Sequence, residues 1–296
     1  MSGCEVCPRR CGVDRDGEGR GVCGMGSLPT VARAAPHFGE EPCISGTRGS
    51  GAIFFSGCSL KCVFCQNREI SADCFGRELS VADLRAVMER LVAEGVHNIN
   101  LVNPTHFVPA IARALETPLG VPVVYNTGGY DRVESLRLLE GKVDIYLPDL
   151  KYLDPDRAKR YSAAADYPTV AIAAIDEMVR QVGKPQFDAE GMLRRGVIVR
   201  HLVLPGGLAD TKQVIDHLAD RYADGEILVS LMSQYTPCRL QDGYPELARR
   251  LTTREYTRAV EHLQMRGITA GYTQGIASAT PDEIPAFDLT GIEKTK

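Results

Sequence analysis

Three cysteines in the stretch GCSLKCVFCQN (Cys58, Cys62 and Cys65) stand in the spacing C-x3-C-x2-C. Three thiolates on so short a loop do not also supply the fourth ligand of a closed tetrahedral ion. They suit three irons of a [4Fe–4S] cube and leave one iron without a protein ligand. A catalytic metal site keeps such an open position, and a structural site closes it. The alternative is a zinc site completed by a distant His or Cys. Four more cysteines, Cys4, Cys7, Cys11 and Cys23, form C-x2-C-x3-C-x11-C. Four thiolates are a closed set, and zinc or a second iron–sulfur cluster would accept it equally. Cys43, Cys74 and Cys238 follow no ligand spacing. Each is expected as a small buried hydrophobe, with a place facing a substrate cavity as the alternative for Cys238 in SQYTPCRL.

Nine of the ten cysteines lie in the first 74 of 296 residues. A disulfide framework would spread its bridges through a small secreted domain, so this clustering points to metal or redox chemistry in a reducing compartment. The N-terminal MSGCEVCPRR lacks the apolar core of a signal peptide, and no apolar run approaches the roughly 20 residues that span a bilayer. A cytoplasmic protein without a membrane partner is expected. With 34 basic against 38 acidic residues the chain also lacks the positive surface that a nucleic-acid partner requires.

The elements that must position these thiols follow from periodicity. Residues 1–50 are rich in Cys, Gly, Arg and Pro with little hydrophobic period, so they read as an arm that a metal organises. From residue 51 short apolar strands alternate with amphipathic helices: AIFFS (52–56), INLV (99–102), VPVVYN (121–126), VDIYL (143–147), GVIVRHLVL (196–204) and EILVSLM (226–232), with ITAGY (268–272) as one more short strand. Helices are expected from Ser80 to Gly95, over about 106–116, from Asp131 through Leu139, from Pro168, from Asp210 to about Tyr222 and from Thr252. This alternation is α/β, a parallel sheet covered by helices, with either an open sheet or a partial barrel over 51–275 and a C-terminal tail over 276–296. Polar groups punctuate the strand ends at NPTH (103–106), NTGGY (126–130), PDLK (148–151) and LPGG (204–207). Parallel α/β folds build their sites at those ends.

On the motif Cys58, Cys62 and Cys65, with Phe64 before the third cysteine, the chain resembles the radical S-adenosylmethionine superfamily. The stretches FSGCSLKCVFCQN, NTGGY, LPDLK and RHLVLPGG resemble its branch related to the pyruvate formate-lyase activating enzyme, including members with an N-terminal cysteine arm. The resemblance implies a partial (β/α)6 barrel of the TIM type, a [4Fe–4S] cluster and S-adenosylmethionine. It implies an oxidoreductase in which the amino and carboxylate groups of the methionine moiety chelate the free iron. One electron, from a donor of the ferredoxin or flavodoxin type, then yields methionine and a 5′-deoxyadenosyl radical that abstracts a substrate hydrogen. A glycyl-radical activase with a protein or peptide substrate is one form of this. The resemblance assigns Asn126, Thr127, Asp149 and Lys151 to the methionine carboxylate and a nearby monovalent cation. The superfamily usually has a Gly-Gly-Glu-like motif after the second strand, but NLVNPTHF holds no acid there, which leaves Asn103 and Thr105 as acceptors for the cofactor ammonium. His201 either lines the cavity or is a satisfied core histidine. His106 is either a substrate contact or a packing residue. The competing class is an electron-transfer or metal-carrier protein with closed four-cysteine ligation.

Overall fold

Apolar strands that are covered on both faces need no alternation, and SGAIFF, buried at every position, is such a strand. It is β2 (Ser50–Phe55) in a set that begins with β1 (Thr30–His37) and continues with β3 (Arg77–Glu78), β4 (Ile99–Val102), β5 (Val123–Thr127), β6 (Ile145–Pro148), β7 (Gln186–Phe187), β8 (Leu193–Leu202), β9 (Leu228–Met232) and β10 (Gly271–Thr273). The computed structural model describes residues 3–237, 243–275 and 285–292. Among these, the strands follow the order β10-β9-β8-β6-β5-β4-β2-β1-β3, with β7 beside β8. Each pairing from β2 through β4, β5, β6, β8 and β9 to β10 is parallel. β1 runs antiparallel to β2, and the sheet does not close on itself. This is the partial barrel expected from the βα repeat, with two strands more, β1 and β3, on the far side of β2 than periodicity showed.

The helices that cover it are α1 (Pro42–Ser45), α2 (Arg68–Ser71), α3 (Val81–Ala93), α4 (Val108–Ala114), α5 (Val133–Arg137), α6 (Pro155–Ser162), α7 (Tyr167–Val182), α8 (Leu208–Arg221) and α9 (Thr253–Met265). Capping boxes start α3 (Ser80 with Asp83) and α9 (Thr252 with Glu255), as their sequences indicate. Helix α3 then turns Leu84, Met88 and Leu91 into the core, each worth about 1.5–3 kcal/mol.

Three segments depart from the sequence expectation. The cysteine-rich arm does not extend to residue 50, because Thr30–His37 is β1 of the main sheet. Its text, TVARAAPH, is too poor in β-branched and aromatic residues to read as a strand, and its pairing with β2 imposes the conformation. Helix α6 went unread because PDRAKRYS has little apolar content, yet Asp154 caps it by accepting from the backbone of Asp156 and Arg157. The C-terminal segment is not a free tail over its described part: Phe287 and Ile292 are buried, and Leu289 and Thr290 hydrogen-bond to the backbone of β1. No helix among the described residues is long and apolar enough to cross a membrane.

Candidate active site

The loop after β2 carries Cys58, Cys62 and Cys65. Gly57 opens it at φ +79°, a left-handed turn, and packs so closely on the arm that a Cβ there would sit 2.6 Å from the Cys23 carbonyl. The loop is tied to α6 by the Val63 amide, which donates to the Tyr161 carbonyl at 2.9 Å. Each of the three sulfurs has a hydrogen-bonding neighbour. Cys62 Sγ lies 3.0 Å from Ser162 Oγ, Cys65 Sγ accepts from Ser71 Oγ at 3.3 Å, and Cys58 Sγ accepts from the Leu60 amide at 3.4 Å. Burial pushes the Cys62 thiol up to about 12 and raises Cys65 as well. A metal group there must therefore displace protons, and its binding is favoured by rising pH.

These sulfurs line a cleft of ≈ 290 Å³ at the C-terminal ends of the parallel strands. The other walls come from Val102 and Asn103 at the end of β4, Asn126 and Thr127 of β5, Asp149 and Lys151 after β6, Arg200 and Leu202 of β8, and Met232 and Gln234 at the end of β9. Phe64 is there too, packed edge-on to Tyr161 and Tyr235. A cleft of ≈ 410 Å³ between Leu115 and Arg194, near the N-terminal ends of the strands, holds no cysteine.

Lys151 and Asp149 form an ion pair at the cleft wall. Burial opposes the lysine charge, but the Asp149 carboxylate beside it holds the ammonium well above an ordinary lysine. Asn103 adopts φ +60°, donates through Nδ2 to the Gly57 carbonyl at 2.6 Å, and so fixes the cysteine loop against the end of β4. The donor set fits an iron–sulfur group: three thiols, each with a polar neighbour, beside a fixed cation and with open space in front.

Three expected residues stand elsewhere. Thr105 bonds Thr127 Oγ1 at 3.1 Å, and Thr127 donates to the buried Asp131 at 2.6 Å, so Thr105 does not reach the cleft and the Thr127 hydroxyl is turned to the same buried group. His201 is a core histidine, with Nδ1 at 2.7 Å from the Leu150 carbonyl and Nε2 at 2.9 Å from Thr211 Oγ1. Strand alternation explains this: β8 turns Arg200 and Leu202 inward and His201 toward α8. His106 is buried under the arm against the Ser56 carbonyl, and burial drops its pKa to about 3. Cys43 is buried beside Tyr272, Cys74 is partly buried, and Cys238 lies outside the described residues.

The residues that sequence reasoning missed form the cleft floor. Glu40, following β1, accepts from Asn100 Nδ2 at 2.9 Å and Asn126 Nδ2 at 3.1 Å, and Arg200 pairs with both Glu40 and Glu41. The signal available was the lone arginine inside the apolar run GVIVRHLVL. Nothing local marked the glutamates as interior.

The arm folds as a set of tight turns. The Cys4 amide donates to Val13 O at 2.9 Å, the Gly12 amide to Cys4 O at 3.0 Å and the Arg10 amide to Cys7 O at 3.1 Å. Burial pushes the Cys7 thiol up to about 11, and the Cys23, Cys4 and Cys11 thiols raise it further. No group of three or more His, Cys, Asp or Glu among the described residues is arranged to hold a single metal ion.

The Radical SAM superfamily model matches residues 52–185. The uncharacterized protein MJ0674 of Methanocaldococcus jannaschii is 31% identical over 268 residues, covering 87% of this chain and 73% of its own. Streptococcus suis SuiB, solved bound to S-adenosylmethionine, superposes with a TM-score of 0.52 at 13% identity over 76% of this chain and 50% of its own, so this chain spans half of it. SuiB bound to its precursor peptide SuiA superposes at 0.50 with 14% identity, over 76% of this chain and 48% of its own. The solved structures share the fold, and the superfamily model names the family: the chain belongs to the radical SAM superfamily.

Proposed function

We propose that the chain reductively cleaves S-adenosylmethionine and uses the resulting radical to abstract hydrogen from a protein or peptide substrate, in the manner of the glycyl-radical activating enzymes. The superfamily's chemistry is supplied by a [4Fe–4S] cluster that delivers one electron to the bound sulfonium. Cys58, Cys62 and Cys65 would hold that cluster, and Ser162, Ser71 and the Leu60 amide set the polarity around its sulfurs. Lys151 offers a fixed ammonium to the methionine carboxylate, and Asp149 keeps that ammonium charged and in place. Asn103 and Asn126 present amides at the same wall, while Leu202, Met232 and Phe64 give apolar surface that excludes water from the reacting end.

The carrying observation is that the three-thiol loop and five strand ends face one cleft. An electron carrier needs no cavity beside its cluster. The peptide-bound state of SuiB supports a macromolecular substrate in this fold. The test is anaerobic reconstitution, reduction with dithionite and addition of S-adenosylmethionine. 5′-Deoxyadenosine should form with the intact protein and fall below detection in Cys62→Ala. A fully loaded protein that neither binds nor cleaves the cofactor would sink the proposal.

A further inference from the structure

The cleft that holds the three thiols continues into a second one. A side cleft of ≈ 320 Å³ lies between segment 39–42 and the strands β9 and β10, where the sheet ends. It shares Gly39, Glu40, Arg200, Met232 and Gln234 with the thiol cleft, so the two meet at the floor. The charged residues that line the side cleft are Glu40, Glu41 and Arg200, and its other lining residues are neutral. Two carboxylates against one guanidinium leave one formal negative charge on buried side chains. Arg200 holds the Glu41 carboxyl below its ordinary range against the effect of burial. Lys151, a second cation in the thiol cleft, is already taken by Asp149. A buried charge left over in this way is costly until a cation meets it.

The hydrogen bonds show the same shortfall independently of charge. Glu40 Oε1 accepts from the Asn100 and Asn126 amides at 2.9 and 3.1 Å. Glu41 accepts from Arg200 Nε at 2.9 Å and Nη2 at 2.6 Å. An ionised carboxylate offers about four lone-pair positions, so both glutamates have places left. Asn100 is fully buried and spends Nδ2 on Glu40, while its Oδ1 has no partner. Asn100 and Val102 share a face of β4, and Val102 lines the thiol cleft, so this orphan acceptor stands under the same floor. The floor therefore has acceptors in excess as well as a negative charge. Water supplies donors without charge, and a group with several N–H bonds and a positive charge supplies both.

We infer that Glu40 and Glu41, with Asn100 behind them, form a recognition site for an alkylammonium or guanidinium group of the substrate, and that Arg200 holds the two carboxylates in place. The side cleft contains no cysteine, so an occupant reaches the glutamates from there while the thiol end is left to the cofactor. Gln234 marks the join. Its carbonyl accepts from Nε2 of Gln66, the residue after Cys65, at 3.0 Å, and its side-chain oxygen accepts from Gln274 Nε2 at 3.2 Å. On a peptide the bound group is a lysine or arginine side chain at or beside the residue that gives up hydrogen. This names a substrate class for the proposed function and rests on that reading for the use made of the bound group.

The test is isothermal titration of the full-length, anaerobically reconstituted protein without reductant. The probes are N-acetyl-lysine methylamide, N-acetyl-arginine methylamide and the uncharged N-acetyl-norleucine methylamide. The basic probes should bind about tenfold tighter than the norleucine probe or better, with S-adenosylmethionine present or absent. Glu40→Gln and Glu41→Gln each remove the unit negative charge and should abolish the preference, with circular dichroism confirming the fold; either folded variant suffices. Equal binding of basic and norleucine probes, binding of none, or a preference that survives in a folded variant overturns the inference. So does displacement of the basic probes by S-adenosylmethionine, which gives the floor to the cofactor's ammonium. Loss of the preference when potassium replaces tetramethylammonium at equal ionic strength gives it to a free cation and overturns the inference as well. Failure of the proposed function is separate: the preference would stand, and reduction would yield no 5′-deoxyadenosine.

Discussion

Replacing Arg200 with methionine removes the only cation of a buried triad, and its cost follows from what is left. Arg200, Glu40 and Glu41 have side chains 11%, 9% and 7% exposed, so water does not rescue the two carboxylates. Burial by itself raises the Glu41 carboxyl, and the Arg200 charge and hydrogen bonds overcome this and hold it below the ordinary range. A group depressed in the folded state contributes stability above its unfolded pKa and loses it as pH falls through the folded value. In Arg200→Met the sign reverses, because the unpaired carboxyl titrates above its unfolded value, and the penalty is greatest at neutral pH. Breaking a buried pair costs about 3–5 kcal/mol. Taking roughly 4 kcal/mol at roughly 2–4 °C per kcal/mol gives a drop of roughly 8–16 °C in Tm. Urea unfolding at neutral pH and at one pH unit above the unfolded carboxylate value checks this. The loss should shrink on acidification, and Arg200→Met/Glu41→Gln should recover part of it. A loss under about 1 kcal/mol, or one that grows as pH falls, would refute the reasoning.

Lys151→Met should weaken S-adenosylmethionine binding by about 10–100-fold, the value of a charged hydrogen bond of about 1.5–3 kcal/mol, with Lys151→Arg restoring it incompletely. Equilibrium dialysis of the reconstituted protein reads this directly, and an unchanged Kd removes Lys151 from the site. Ser162→Ala takes a hydrogen bond from Cys62 and should move the loop cluster to more negative potential, by about 40 mV if that bond favours the reduced state by about 1 kcal/mol. A redox titration that finds no shift or a positive one contradicts this. Gly57→Ala combines φ +79° with contacts at 2.3 and 2.6 Å, and should cost more than about 2 kcal/mol while loosening the arm. Limited proteolysis near Arg9 and Arg10 should accelerate in that variant, and unchanged kinetics would count against the contact.

What the amino-acid sequence determined by itself is local. The ligand spacing of Cys58, Cys62 and Cys65 is written in eight consecutive residues, and the βα alternation is carried by short apolar runs with capping residues between them. Asn126, Asp149 and Lys151 are named by the resemblance of NTGGY and LPDLK to the family, in keeping with the convergence of strand C-termini in parallel α/β folds. The tertiary structure decided matters that depend on residues far apart or on parity. One position along β8 separates Arg200, which faces the cleft, from His201, which faces α8, and an apolar strand covered on both faces has no alternation to reveal which side is which. Thr105 stands where the family's acidic motif is missing and so reads as an acceptor for the cofactor ammonium, but Asp131, a residue on another loop, captures it through Thr127. Glu40 reaches the interior only because β1 runs antiparallel to β2, and TVARAAPH carries no pattern that announces a strand. Packing supplies the partners of buried charges, and local text cannot name them: the floor of the cleft joins Glu40 to Arg200 across 160 positions of chain.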